Sequence, residues 1–253
     1  MKFKIKSNVS YIASELNIPK NKNGCAIIFL PGYLDTKDYY SFKYFGKNLS
    51  KEGFLTIAFD PTGTWESGGK ISNYKFSQYL KDIKLVIKFI KKKYSFTKKI
   101  ILIGHSWGAS VALVYQSLNS GITASLLIEP SKELNLKKWG DLSCRSSTRD
   151  LPKNKDKLKE FCVPRTFMLD ALKYNVLKIA KKSKTPCHFI AGKKDTVIKP
   201  KIVKEIYAST KKPKELHLLS IGHDFRLSKL ETDTVYKKIR EILIDLKDRE
   251  ILD

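Results

Sequence analysis

The run Cys25-Ala-Ile-Ile-Phe-Leu30 is apolar at every position, the pattern of a strand buried on both faces. Similar runs follow at Leu55–Phe59, Ile100–Ile103, Ser125–Ile128, Cys187–Ala191 and Leu216–Leu219, after an N-terminal pair at Phe3–Lys6 and Tyr11–Leu16. Helical periodicity fills the gaps. Phe76, Leu80, Ile83, Ile87, Ile90 and Tyr94 recur at steps of four and three, as do Val111, Val114 and Leu118, and later Val235, Ile239, Ile242 and Leu246. Strands alternating with helices predict an α/β fold: a mainly parallel sheet of about eight strands with helices on both faces. The 253 residues suit a single domain spanning 1–253. Functional groups in such sheets gather at the carboxyl ends of the strands.

One stretch breaks the alternation. From Ser131 to about Thr185 no clear strand is visible and charge is dense, while 156–161 and 165–182 read as helical. An insertion between two strands at this point overhangs the strand ends, so residues 131–185 are expected to form a small cap or lid.

At the junction of the Ile100–Ile103 strand with the following helix stands Gly104-His-Ser-Trp-Gly108. Gly-x-Ser-x-Gly arises often by chance, but a random copy rarely falls between a buried strand and an amphipathic helix. There it is a nucleophile elbow. Ser106 is forced into a strained turn, the flanking glycines remove clashing Cβ atoms, and the helix N-terminus points its amides at the same place.

A nucleophilic serine needs a base, an acid to orient that base, and donors for the oxyanion. Of the four histidines, His188 and His217 fall within strands and His105 adjoins the serine. His223 remains, in the loop after the last strand. Asp195 follows the penultimate strand and is the candidate acid; its alternative role is to cap the helix that begins nearby. Glu129, at the end of an earlier strand, is its rival, whereas Asp224 adjoins the base and is poorly placed for its far nitrogen. The backbone amide of Trp107 is one expected oxyanion donor. That of Tyr33, after the turn at Pro31-Gly32, is the other. Trp65, Trp139 and Phe225 are candidate substrate-pocket walls.

The formal charge of +24 is mostly lysine spread over every segment, which describes a lysine-biased surface and not a specific nucleic-acid site. No apolar run is long enough to span a bilayer, and the alternating Met1–Ser7 start lacks the apolar block of a signal peptide. A cytoplasmic protein is expected. The four cysteines lack metal-type spacing, and that compartment disfavours a disulfide between Cys144 and Cys162.

Over nearly its whole length the chain resembles an α/β-hydrolase. Leu30-Pro-Gly-Tyr33, Gly104-His-Ser-Trp-Gly108, Ala191-Gly-Lys-Lys-Asp195 and Gly222-His223 match the oxyanion, nucleophile, acid and base stations in order. Asp60-Pro-Thr-Gly-Thr-Trp-Glu-Ser-Gly-Gly69 resembles a loop of the branch with monoglyceride lipases and cinnamoyl or feruloyl esterases. Pro31 stands where that family usually has histidine, and Thr64-Trp65 where it has Gly-His. The resemblance implies a serine hydrolase acting on a small or medium acyl ester through an acyl-enzyme, without metal or organic cofactor. The alternatives are a thioesterase or amidase with the same machinery, or a non-catalytic binding protein of this fold.

Overall fold

The structure is a computed structural model that describes residues 1–132 and 143–252. Its main sheet holds eight strands: β1 (Lys2–Lys6), β2 (Tyr11–Asn17), β3 (Cys25–Leu30), β4 (Leu55–Phe59), β5 (Lys99–His105), β6 (Ala124–Ile128), β9 (Cys187–Gly192) and β10 (Lys214–Leu219). Their order is β1-β2-β4-β3-β5-β6-β9-β10, with the β1–β2 and β2–β4 pairs antiparallel and the other pairs parallel.

Each central strand feeds two cores by its period of two. Ala26, Ile28 and Leu30 of β3 enter one core, while Cys25, Ile27 and Phe29 enter the other. The first core is closed by α2 (Phe76–Lys93), α3 (Trp107–Leu118) and α6 (Pro200–Ser209), the second by α1 (Tyr40–Lys51) and α7 (Lys229–Asp248). A one-residue slip of β3 would exchange its two sets of side chains, so burial on both sides fixes the register. The buried stripe of α2 runs through Phe76, Tyr79, Ile83, Val86 and Ile90. Leu80 and Ile87 sit at its half-buried edge. Among the described residues no helix is long and apolar enough to cross a membrane.

The segment after β6 differs from its sequence reading. Residues 156–161 are not helical: they belong to β8 (Asn154–Pro164), which pairs antiparallel with β7 (Cys144–Leu151) as a separate two-stranded sheet. Two short helices follow, α4 (Arg165–Ala171) and α5 (Val176–Ala180), in place of one long one. The hairpin brings Cys144 and Cys162 to a Cα separation of 5.5 Å, and they are joined by a disulfide, against expectation.

Candidate active site

The parallel register sets β5, β6, β9 and β10 side by side with their carboxyl ends together. Ser106, Glu129, Asp195 and His223 each follow one of these four strands.

Ser106 sits between β5 and α3 at φ 51° and ψ −116°, a left-handed conformation that costs a non-glycine residue about 1 to 3 kcal/mol. The turn exists because the chain must reverse beside another backbone. A Cβ on Gly108 would come within 2.1 Å of the Leu30 carbonyl oxygen, so only glycine lets α3 approach the end of β3.

Asp195 is almost fully buried and divides its two oxygens. Oδ1 accepts the amides of Val197 and Ile198, each at 2.7 Å, while Oδ2 lies 2.8 Å from Nδ1 of His223. Asp195 therefore does not cap α6, whose N-cap is Lys199; its Oδ1 ties down the loop ahead of that helix while Oδ2 holds the histidine. Burial alone would raise the Asp195 pKa, but the bond to His223 and the two amides hold it below its ordinary value.

Ser106 and His223 open on one cavity of about 880 Å³, bounded below by Tyr33 and Trp107 and above by Ser147 and Arg149 of β7. Among the described residues the backbone amides of Tyr33 and Trp107 donate no hydrogen bond within the protein. Leu34, at φ 57°, turns the Tyr33 loop, and several groups hold it. Tyr79 Oη donates to the Pro31 carbonyl at 3.0 Å, the Leu34 amide donates to Tyr74 Oη at 3.2 Å, and Arg149 donates to the Tyr33 carbonyl at 2.7 Å. Further along, buried Asp60 accepts from Thr36 Oγ1, the Lys37 amide and Lys37 Nζ. A loop without the usual histidine before Gly32 is thus fastened by other means.

Trp65 and Phe225 lie elsewhere. Trp65 does not border this cavity; its indole N–H donates to the Leu34 carbonyl at 2.7 Å, and its ring packs against Tyr39 and Phe161. Phe225 is buried in the second core with its ring 5.0 Å from that of His105. Trp139 lies outside the described residues. His188 and His217 stack on each other at 5.7 Å within β9 and β10.

Sequence reading missed a buried network beside the site. His105 Nδ1 lies 3.5 Å from Asp35 and Nε2 lies 3.4 Å from Glu129, while Asp35 also meets Arg149 at 3.3 Å and Arg226 at 3.5 Å. Burial would lower His105, yet the two carboxylates carry its pKa up to about 9. Burial would raise Asp35, but His105 and the two arginines hold it down to about 2. The His105, Glu129 and His223 donor atoms lie within 4.8 Å of one another, a spacing a cation could bridge, but His223 Nδ1 is already engaged by Asp195. The Asp38, Asp60 and Glu66 cluster is likewise engaged, by Lys37 Nζ.

Residues 22–155 match the family model described as serine aminopeptidase, S33. No curated protein matches the chain. Among solved structures, the ferulic-acid-bound esterase Est1E of Butyrivibrio proteoclasticus superposes with a TM-score of 0.77 at 17% identity, covering 96% of this chain and 98% of that one. The esterase Pf2001 of Pyrococcus furiosus gives 0.71 at 23% identity, with 97% and 91% covered. Mouse alpha/beta hydrolase domain-containing protein 10 gives 0.73 at 19% identity, with 97% and 99% covered. At these identities the likeness is one of fold.

Proposed function

Because the chain belongs to the serine aminopeptidase S33 family of α/β-hydrolases, we propose that it is a serine carboxylesterase cleaving small or medium acyl esters. The observation that carries this reading is the 2.8 Å contact of Asp195 with His223 Nδ1, in a cavity that His223 shares with strained Ser106. With Nδ1 held, Nε2 is the ring nitrogen left to take the Ser106 proton. Ser106 Oγ attacks the acyl carbonyl, and the oxyanion rests on the amides of Tyr33 and Trp107. His223 then protonates the leaving group, and water repeats the sequence on the acyl-enzyme. Asp195 keeps the tautomer and steadies the imidazolium.

Residues 131–185 act in this reading as a cap, with β7 forming the outer wall of the cavity through Ser147 and Arg149. A smaller cavity of about 110 Å³, lined by Phe76, Trp107, Ser131, Tyr174 and Val176, shares Trp107 and Ser131 with the larger one. It is our candidate for the acyl pocket, and its size suits a short chain. Turnover of a p-nitrophenyl ester series by wild type, Ser106→Ala and His223→Ala tests the proposal. Each variant should lose roughly a million-fold in kcat; retention of most activity by Ser106→Ala overturns it.

One observation favours a second reading, hydrolysis of a thioester or ester with an anionic leaving group. Arg145, Ser147 and Arg149 alternate along β7; Ser147 meets the Tyr33 hydroxyl and Arg149 its carbonyl, but Arg145 borders the cavity with no acid partner among the described residues. Comparison of acyl-CoA with matched oxygen esters separates the two. A thioester preference lost in Arg145→Ala supports this second reading, and no preference removes it.

A further inference from the structure

Glu129 is a buried acid that the proposed triad leaves unused. It follows β6 at φ 51°, with its amide on the Ile190 carbonyl at 2.8 Å and no solvent exposure. Oε2 lies 3.6 Å from His223 Nδ1 and 3.4 Å from His105 Nε2, and neither oxygen has a hydrogen-bond partner among the described residues. On its other side Oε1 presses on Gly192, where a Cβ would stand 2.2 Å away. The position thus needs a left-handed glutamate and a neighbouring glycine, and it buries a charge that water would solvate better. Packing recovers none of this. What offsets it is the sandwiched His105, itself braced by Asp35 with Arg149 and Arg226.

We infer that Glu129 is a positioning residue for His223: paired with His105, it sets a second carboxylate behind Nδ1 that steadies the imidazolium and partly substitutes for Asp195. This rests on the reading of Ser106 and His223 as nucleophile and base. The charged groups facing the His223 ring on this side are Asp195 after β9, Glu129 after β6 and His105 at the end of β5. Asp35, Arg149 and Arg226 act on it through His105. Burial drives the Glu129 pKa upward and the nearby His105 opposes that rise, so the two share their proton as a couple.

The signs follow. Glu129→Gln removes a negative neighbour and leaves the His105 cation with Asp35 alone, which disfavours a charged His223; the acid limb of the kcat/KM profile moves to lower pH. His105→Asn removes the cation that holds Glu129 ionised, so burial drives that carboxylate to take up a proton and the limb again moves to lower pH. Loss of packing alone would cost the same in the Asp195→Asn background as in wild type.

The test is the pH profile of Glu129→Gln, His105→Asn, Asp195→Asn and the Glu129→Gln/Asp195→Asn double variant, with Ser106→Ala alongside. The expected result is a limb shift to lower pH in both single variants, each about half a unit. In the Asp195→Asn background the Glu129→Gln change should cost at least about threefold more kcat than in wild type. Should Glu129→Gln fail to fold, His105→Asn in the wild-type and Asp195→Asn backgrounds decides by the same comparison. Profiles that superimpose on wild type, or equal effects in both backgrounds, overturn the inference. Turnover retained by Ser106→Ala instead overturns the serine reading on which it rests.

Discussion

Asp195 Oδ2 meets His223 Nδ1 at 2.8 Å while Oδ1 of the same carboxylate holds two backbone amides. One side chain therefore fixes both the loop after β9 and the ring after β10. Asp195→Asn keeps an acceptor for the amides but offers His223 the wrong partner. Its kcat should fall by about 10⁴, with the melting temperature changed little. A melting temperature that falls along with kcat would mean that Asp195 acts through the loop and not through the histidine.

The proposed acyl pocket leads to a size prediction. Tyr174 stacks on Phe76 at 4.5 Å and closes the smaller cavity. Tyr174→Ala should move the p-nitrophenyl ester optimum to longer chains and lower kcat/KM for acetate. An unchanged chain-length profile would place the acyl group elsewhere.

Stability should fall on the alkaline side of neutrality. His105 titrates near 6.5 when unfolded and at about 9 when folded. A raised histidine stabilises fully below its unfolded value, and that contribution is lost as pH rises through the folded one. A rise of this size is worth on the order of 3 kcal/mol. Urea midpoints measured from pH 6.5 to 9.5 should decline in wild type and stay flatter in His105→Asn. Parallel curves would show that His105 is neutral in the folded protein.

Much of this site was legible because four strands end together. Ser106, Asp195 and His223 each follow an apolar run, and a parallel sheet obliges such positions to meet. The His105 network was not legible, since Asp35, His105, Glu129, Arg149 and Arg226 converge from five distant points of the chain and carry no spacing signature. Phe225 and Trp65 were misleading for a related reason: an aromatic beside a catalytic loop can face the core as easily as the cavity. The β7–β8 hairpin escaped because it is largely solvated on both faces, so the period of two is blurred by lysine. Leu158 and Phe161, three apart, imitate a helix instead.

The Cys144–Cys162 disulfide closes that hairpin over 18 residues, for which a cross-link is worth about 3 kcal/mol. Its first strand, β7, carries Ser147 and Arg149 onto Tyr33. Replacing both cysteines by serine should therefore raise KM for esters and speed hydrogen exchange in the hairpin, leaving exchange in β3 and β5 unchanged. An unaltered KM would detach the hairpin from substrate binding.

The central claim is that Ser106 is an activated nucleophile, and covalent labelling tests it most directly. Folded wild-type protein treated with a fluorophosphonate should gain one adduct, mapped by mass spectrometry to the peptide carrying Ser106, and Ser106→Ala should gain none. Equal labelling of both proteins, or no labelling of folded wild type, would contradict the account.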